Sequence, residues 1–342
     1  MNRLSTLRDL YRHLDWASDR LFAAAEPLDE APLDRPFEMG LGSLRKTLWH
    51  VWSAHWLWFR RLAGESPTAL LPGGVGNSIG DLRRFVADQR AARDAVLSAT
   101  CDDALRSDVG YRNTKGEPFV ARRGAILLHV CNHAAHHHAQ VLNMLRHSGA
   151  VEKPPRLDYI FMYWEHRDWP APALSVEMLK DYFAYTDWAR SRVMDVAQQI
   201  DDAQVDRPFE MGIGSIRKNL AHTHDAERWW LTNWLAMPST SGAPFPKTDE
   251  TIPLGDLRAL FDDTARQRND FLVRTRDDDL LRDVEGTAAP GRTFKFPLGV
   301  TMVQLCNHGT HHRAQTINML RQCGKTSPPT DYVLWAREHR KN

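Results

Sequence analysis

Asp34-Arg35-Pro36-Phe37-Glu38-Met39-Gly40-Leu41-Gly42-Ser43-Leu44-Arg45-Lys46 returns as Asp206-Arg207-Pro208-Phe209-Glu210-Met211-Gly212-Ile213-Gly214-Ser215-Ile216-Arg217-Lys218. Only Leu41 and Leu44 change, each to isoleucine. Self-similarity at a fixed offset marks an internal repeat, and it extends outward from this stretch. Asp15-Trp16-Ala17 recurs as Asp187-Trp188-Ala189, and Asp158-Tyr159 as Asp331-Tyr332. Cys131-Asn132-His133, His136-His137 and Ala139-Gln140 recur as Cys306-Asn307-His308, His311-His312 and Ala314-Gln315. The offset is 172 residues from His50 to His222 and 175 from His133 to His308. The longer offset already holds at Asp81-Leu82-Arg83 and Asp256-Leu257-Arg258, so the added residues lie just before this point. There the chain reads Pro72-Gly73-Gly74-Val75-Gly76 in one copy and Pro238-Ser239-Thr240-Ser241-Gly242 in the other, and surface loops tolerate such changes. Pro170-Ala171-Pro172 is a short, stiff linker, which predicts domains at 1–169 and 170–342.

A chain of 342 residues suits two domains, each long enough to bury a core. Hydrophobic residues at 42% and charged residues at 25% describe a soluble globular protein. A net charge of +1 gives no electrostatic case for nucleic acid or an anionic membrane as partner. No apolar run reaches membrane-spanning length, and the stretch from Met1 to Phe22 lacks a signal-peptide core. Cys101, Cys131, Cys306 and Cys323 form no C-x-x-C pair and read as reduced thiols, so a cytoplasmic location is expected. The aromatic cluster Trp49, Trp52, Trp56, Trp58 and Phe59 is expected to supply core volume, with an aromatic pocket wall as the alternative.

Each copy reads as four long helices. The first covers about residues 5–25 and 175–199. The second opens at the N-cap serines Ser43 and Ser215, and the third near Ile79 and Leu254. The fourth runs from Gly124 to Arg146 and from Gly299 to Arg321, stopped by Gly149 and Gly324. Val109–Val120 and Val284–Lys295, with Lys115-Gly116 and Pro290-Gly291 as turns, fit a hairpin or irregular crossover. The fold class is all-α, two tandem four-helix bundles.

His133 and His137 are four apart on an apolar-periodic helix, so their imidazoles share one face about a turn apart. His308 and His312 repeat the pair, and His50 and His222 supply a third ring from another helix. An H-x3-H pair by itself is weak evidence, since buried histidines are commonly core hydrogen-bonders. Here the three positions are kept while His55, His129 and His138 have become Glu227, Gln304 and Arg313. Retention amid that divergence points to metal, and three neutral imidazoles with an open position suit a catalytic zinc-type site. Gln140, Gln315 and Arg313 are the candidate catalytic side chains, for holding water or substrate, with a solvated or core hydrogen-bonding role as the alternative for the two glutamines. Glu38 and Glu210 either orient a ligand imidazole or complement a helix dipole, and Asp15 and Asp187 are similarly ambiguous. Cys131 and Cys306 lie roughly on the opposite side of the helix and read as core.

At these residues the chain resembles the DinB/YfiT-like superfamily, in tandem. The carrying motifs are Gly214-Ser215, Leu220-Ala221-His222 and Asn307-His308-Gly309-Thr310-His311-His312-Arg313-Ala314-Gln315. The first copy has Gly42-Ser43, Leu48-Trp49-His50 and Asn132-His133-Ala134-Ala135-His136-His137-His138-Ala139-Gln140. It departs from the family pattern at His138, usually arginine, and at His55, often acidic. The resemblance implies left-handed-type four-helix bundles, with one divalent ion (Zn, Ni or Fe) held by His50, His133 and His137 and another by His222, His308 and His312. Characterised relatives include S-transferases and isomerases that use mycothiol, bacillithiol or glutathione-like thiols. That makes a transferase joining a low-molecular-weight thiol to a small electrophile the leading expectation. A metal-dependent hydrolase and a non-catalytic metal-binding stress protein are the alternatives. Single-domain relatives often form homodimers, so an intrachain pseudo-dimer is expected. The acidic Glu227 and the anion-gripping potential of Arg313 make the second site the more conventional one.

Overall fold

The computed structural model describes residues 3–72, 78–149, 151–235, 245–289 and 292–339. The loops expected at 73–76 and 238–242 and the Pro290-Gly291 turn lie outside them. The chain divides into two compact units. Unit 1 comprises Leu7–Leu157 and the chain from Thr330 on; unit 2 comprises Asp158–Pro329 and the residues up to Thr6.

Unit 1 is built on α1 (Arg3–Ala25), α3 (Leu44–Leu62), α4 (Ile79–Ser98) and α5 (Arg123–His147), with the short α2 (Glu30–Asp34). The sequence fixes these ends by ordinary capping. Ser43 accepts the Lys46 N–H at the start of α3, and Ser78 and Asp81 form a capping box on α4. Gly149, at φ 70°, follows the end of α5 in the left-handed conformation that stops helices. The inward stripe of α1 is Leu7, Leu10, Tyr11, Leu14, Ala17 and Leu21, spaced three and four apart. Trp49, Trp52, Trp58 and Phe59 are buried as expected, whereas Trp56 is only half-buried, and Trp52 is among the largest fully enclosed side chains. Burial of such a side chain stabilises the fold by about 1.5–3 kcal/mol. Between α4 and α5, β1 (Asp108–Arg112) and β2 (Pro118–Arg122) pair antiparallel, Asp108 opposite Arg122. Gly116, at φ 81°, takes their turn.

Unit 2 repeats the plan with α7 (Val176–Ala197), α9 (Ile216–Leu235), α10 (Leu254–Arg274) and α11 (Leu298–Gln322). The short α8 (Asp202–Asp206) precedes α9, and β3 (Asp283–Ala289) pairs antiparallel with β4 (Arg292–Pro297) before α11. Both units are mostly helical, as the sequence predicted.

Each unit is completed by a short helix from the other repeat. The helix α6 (Tyr159–Glu165) ends the first repeat in sequence, yet belongs to unit 2 and packs on α11. The helix α12 (Tyr332–Glu338) ends the second repeat, yet belongs to unit 1 and packs on α5. Tyr159 and Met162 anchor α6 and are fully buried. No helix among the described residues is long and apolar enough to cross a membrane.

Candidate metal centre

The helix pair α3/α5 carries the unit 1 triad and the pair α9/α11 carries that of unit 2. His50, His133 and His137 bring ring nitrogens within 4.8 Å of one another, and so do His222, His308 and His312. The ring centroids in unit 1 are 5.0, 4.7 and 4.5 Å apart, against 5.2, 4.8 and 4.4 Å for the matching pairs in unit 2. Two stretches that differ at many positions thus close on one geometry.

That geometry fits a divalent ion. A tetrahedral ion bound at about 2.0–2.1 Å requires ligand nitrogens roughly 3.3 Å apart. His50 Nε2 and His133 Nε2 are separated by 3.2 Å. In unit 2, His308 Nε2 is buried and makes no hydrogen bond, a position normally disfavoured for a polar atom. Among the described residues each group closes at three ligands, so a bound ion would keep positions for other partners. The two groups fit one divalent ion per unit.

Polar neighbours fix the ligand rings. A ring that donates through Nδ1–H must present its Nε2 lone pair on the other side. In unit 1, His137 Nδ1 donates to Gln140 Oε1 at 2.7 Å, and Gln140 Nε2 lies 3.1 Å from His136 Nε2. In unit 2, His312 Nδ1 donates to Asn219 Oδ1 at 2.9 Å. Asn219 is itself held through Nδ2 by the His312 carbonyl and Thr316 Oγ1, each at 2.8 Å. Gln315 donates to His311 at 2.9 Å, while its Oε1 has no partner. The repeated glutamine bears on the equivalent ring in both units, as the direct acceptor of His137 in unit 1 and, in unit 2, beside Asn219, which takes the His312 Nδ1–H. Copy 1 has Thr47 where copy 2 has Asn219, so the repeat comparison could not single out this asparagine. Gly40 and Gly212, both at φ 56°, bring the preceding loop over these amides. A Cβ on Gly212 would stand 2.5 Å from Asn219 Oδ1 and 2.8 Å from Gln315 Oε1.

The remaining singled-out residues have clear places. Glu38 and Glu210 are exposed, and the rings of His137, His308 and His312 meet Gln140, Asp158 and Asn219. Asp15 pairs with Arg90 and Arg93, and Asp187 with Arg190 and Arg268. Glu227 is buried and pairs with Arg190 at 3.0 Å, not with a ligand histidine. Arg313 is also buried, donating to Tyr185 Oη at 2.9 Å and Thr310 Oγ1 at 3.1 Å. The carboxylate beside a ligand ring is Asp158, whose Oδ1 lies 3.3 Å from His308 Nδ1. Its signal in the sequence was the recurrence of Asp158-Tyr159 as Asp331-Tyr332. Phe245 lies 5.8 Å from His222 between ring centroids and equally far from Trp229, giving the centre an aromatic flank.

Burial, reinforced by neighbouring rings, pushes the proton affinity of His133, His137 and His312 well below that of an ordinary imidazole. His222 is lowered to about 4, again chiefly by burial. These rings stay neutral and keep their lone pairs near neutral pH. The unfolded chain takes up protons from about pH 6.5 downward, whereas the folded rings resist until their lower values are reached. Stability must therefore fall as pH falls through that window. Metal-stripped protein should melt at progressively lower temperature between about pH 7 and about pH 4. Melting curves of chelator-treated protein check this, and a flat profile would contradict it.

Comparisons agree with this architecture. The DinB family model matches residues 1–169 and again 175–341. Protein DinB of Bacillus subtilis (strain 168) is 21% identical over 155 residues, covering 45% of this chain and 90% of that protein. No solved structure matches.

Proposed function

This chain belongs to the DinB family, in two consecutive copies, and from that premise we propose that it is a metal-dependent transferase joining a low-molecular-weight thiol to a small electrophile. The observation that carries the reading is the three-nitrogen group on two packed helices, with three ligands among the described residues. Zinc, nickel or iron all suit imidazole ligands. A divalent ion there would supply a positive charge that favours thiolate over thiol near neutral pH.

The chain's own residues do the rest. Gln140 and Asn219 hold the His137 and His312 rings in one tautomer. Burial keeps His137 and His312 unprotonated. Phe245 offers an exposed apolar surface beside His222 for the electrophile. The thiol is an added small molecule in this reading. Cys131 and Cys306 are buried, and burial raises both thiols far above their ordinary range, so neither is a ready nucleophile.

Metal-loaded protein incubated with mycothiol, bacillithiol or glutathione and a panel of small electrophiles should consume thiol and electrophile in equal amounts. Chelation should abolish turnover. Hydrolysis of panel esters or amides without thiol consumption would replace this reading with a metal-dependent hydrolase. Metal binding without turnover on any panel member would favour a non-catalytic metal-binding protein.

A further inference from the structure

The carboxylate of Asp158 stands where a helix cap would be expected and does not act as one. It is the N-cap residue of α6, yet its side chain accepts no hydrogen bond from the first turn of that helix. An aspartate in this position ordinarily satisfies one of the free N–H groups there. Here Oδ1 faces His308 Nδ1 at 3.3 Å and accepts from Gln304 Nε2 at 3.0 Å. Gln304 in turn accepts the Ile160 N–H at 2.9 Å, which ties its amide to α6. Two residues of α11 and the start of α6 thus hold one carboxylate against one ring, and the buried Tyr159 and Met162 keep α6 in place. The other nitrogen of that ring, Nε2, is the buried atom without a partner that faces the triad.

We propose that Asp158 is a positioning residue for the metal centre of unit 2, fixing the tautomer and direction of His308, so that this centre draws on both sequence repeats. The inference rests on the reading of the triads as metal sites. A ligand histidine whose Nδ1–H is held by a carboxylate presents Nε2 in a set direction and is a stronger donor. The equivalent Asp331 begins α12 in unit 1 and also forms no side-chain cap. It is exposed; its charge acts on His50 and His129 without a hydrogen bond to a triad ring, and His129 stands where Gln304 would hold it. The carboxylate device therefore operates in unit 2 and lacks its amide clamp in unit 1.

The test uses the full-length chain with one triad removed at a time. In a His137→Ala background, only the unit 2 centre remains. Cobalt(II) and zinc(II) affinity is read by competition with a chromophoric chelator, and the cobalt spectrum reports ligand geometry. Asp158→Ala should weaken binding by about 10–100-fold and alter the cobalt spectrum, with Asp158→Asn in between. Gln304→Ala, which frees the carboxylate without deleting it, should weaken binding a few-fold and serves where Asp158→Ala folds poorly. In a His312→Ala background, Asp331→Ala should leave the unit 1 centre within about twofold. Affinity within twofold of the parent for both Asp158→Ala and Gln304→Ala overturns the proposal. So does an equal loss from Asp331→Ala in its own background. Failure of the unmodified chain to bind metal at either centre would instead overturn the metal-site reading itself.

Discussion

A His312→Ala chain, loaded with zinc and freed of excess metal, should carry one ion where the unmodified chain carries two. His312 is the buried member of its triad, its Nδ1 is committed to Asn219, and its Nε2 side faces His222 and His308. Alanine removes one of three nitrogens, and two imidazoles 5.2 Å apart between ring centroids form a far weaker site. His137→Ala should do the same to unit 1, and the double variant should bind no stoichiometric metal. Elemental analysis gives the count directly. Unchanged binding in the double variant would refute both sites at once. The separate losses also address inequality between the units. If turnover depends on unit 2, His222→Ala should abolish it while His50→Ala leaves it largely intact.

The largest effect on stability is expected away from the metal centres, at Arg268. Its guanidinium is buried, lies 4.6 Å over the Phe183 ring, and pairs with Asp187 and, at 3.5 Å, with Glu227. Arg190 pairs with the same two acids at 3.1 and 3.0 Å. Two buried cations thus balance one buried anion, Glu227, and one partly exposed anion, Asp187. Arg268→Ala leaves both acids to Arg190 and opens a void beside Phe183. Removing one partner from such a buried set destabilises by roughly 3–5 kcal/mol. Arg93→Ala in unit 1 should be milder, because His55 replaces Glu227 and leaves no second buried anion beside Asp15. Urea unfolding of the metal-free variants, followed through the transition of each unit, checks both. A loss below about 1 kcal/mol for Arg268→Ala would mean that solvent already screens the network.

Glu227 also shows where a helical reading of the sequence reaches its limit. It lies five residues after His222, which on an α-helix is about 140° around the axis. Its contrast with His55 made it a candidate partner for a metal ligand, but that angle turns it toward Arg190 and Arg268 instead. Arg313, next to His312, is likewise turned about 100° away and meets Tyr185. Rotation on one helix can be worked out from spacing; what waits on the other side cannot.

The sequence by itself determined the duplication, the helix set and both triads. Each rests on local relations: caps such as Ser43 and Ser215, apolar spacing of three and four, and the four-residue step from His133 to His137. Backbone geometry turns such steps into a shared face wherever the helix forms. Only the tertiary structure decided which side chains orient the ligands. Asn219 reaches His312 because α9 packs on α11, and copy 1, with Thr47 there, gave no hint of it. Asp158 reaches His308 because α6 joins unit 2, although its place at the end of the first repeat suggests the opposite. A short connecting helix is placed by the surface that buries Tyr159 and Met162, not by the repeat that encodes it.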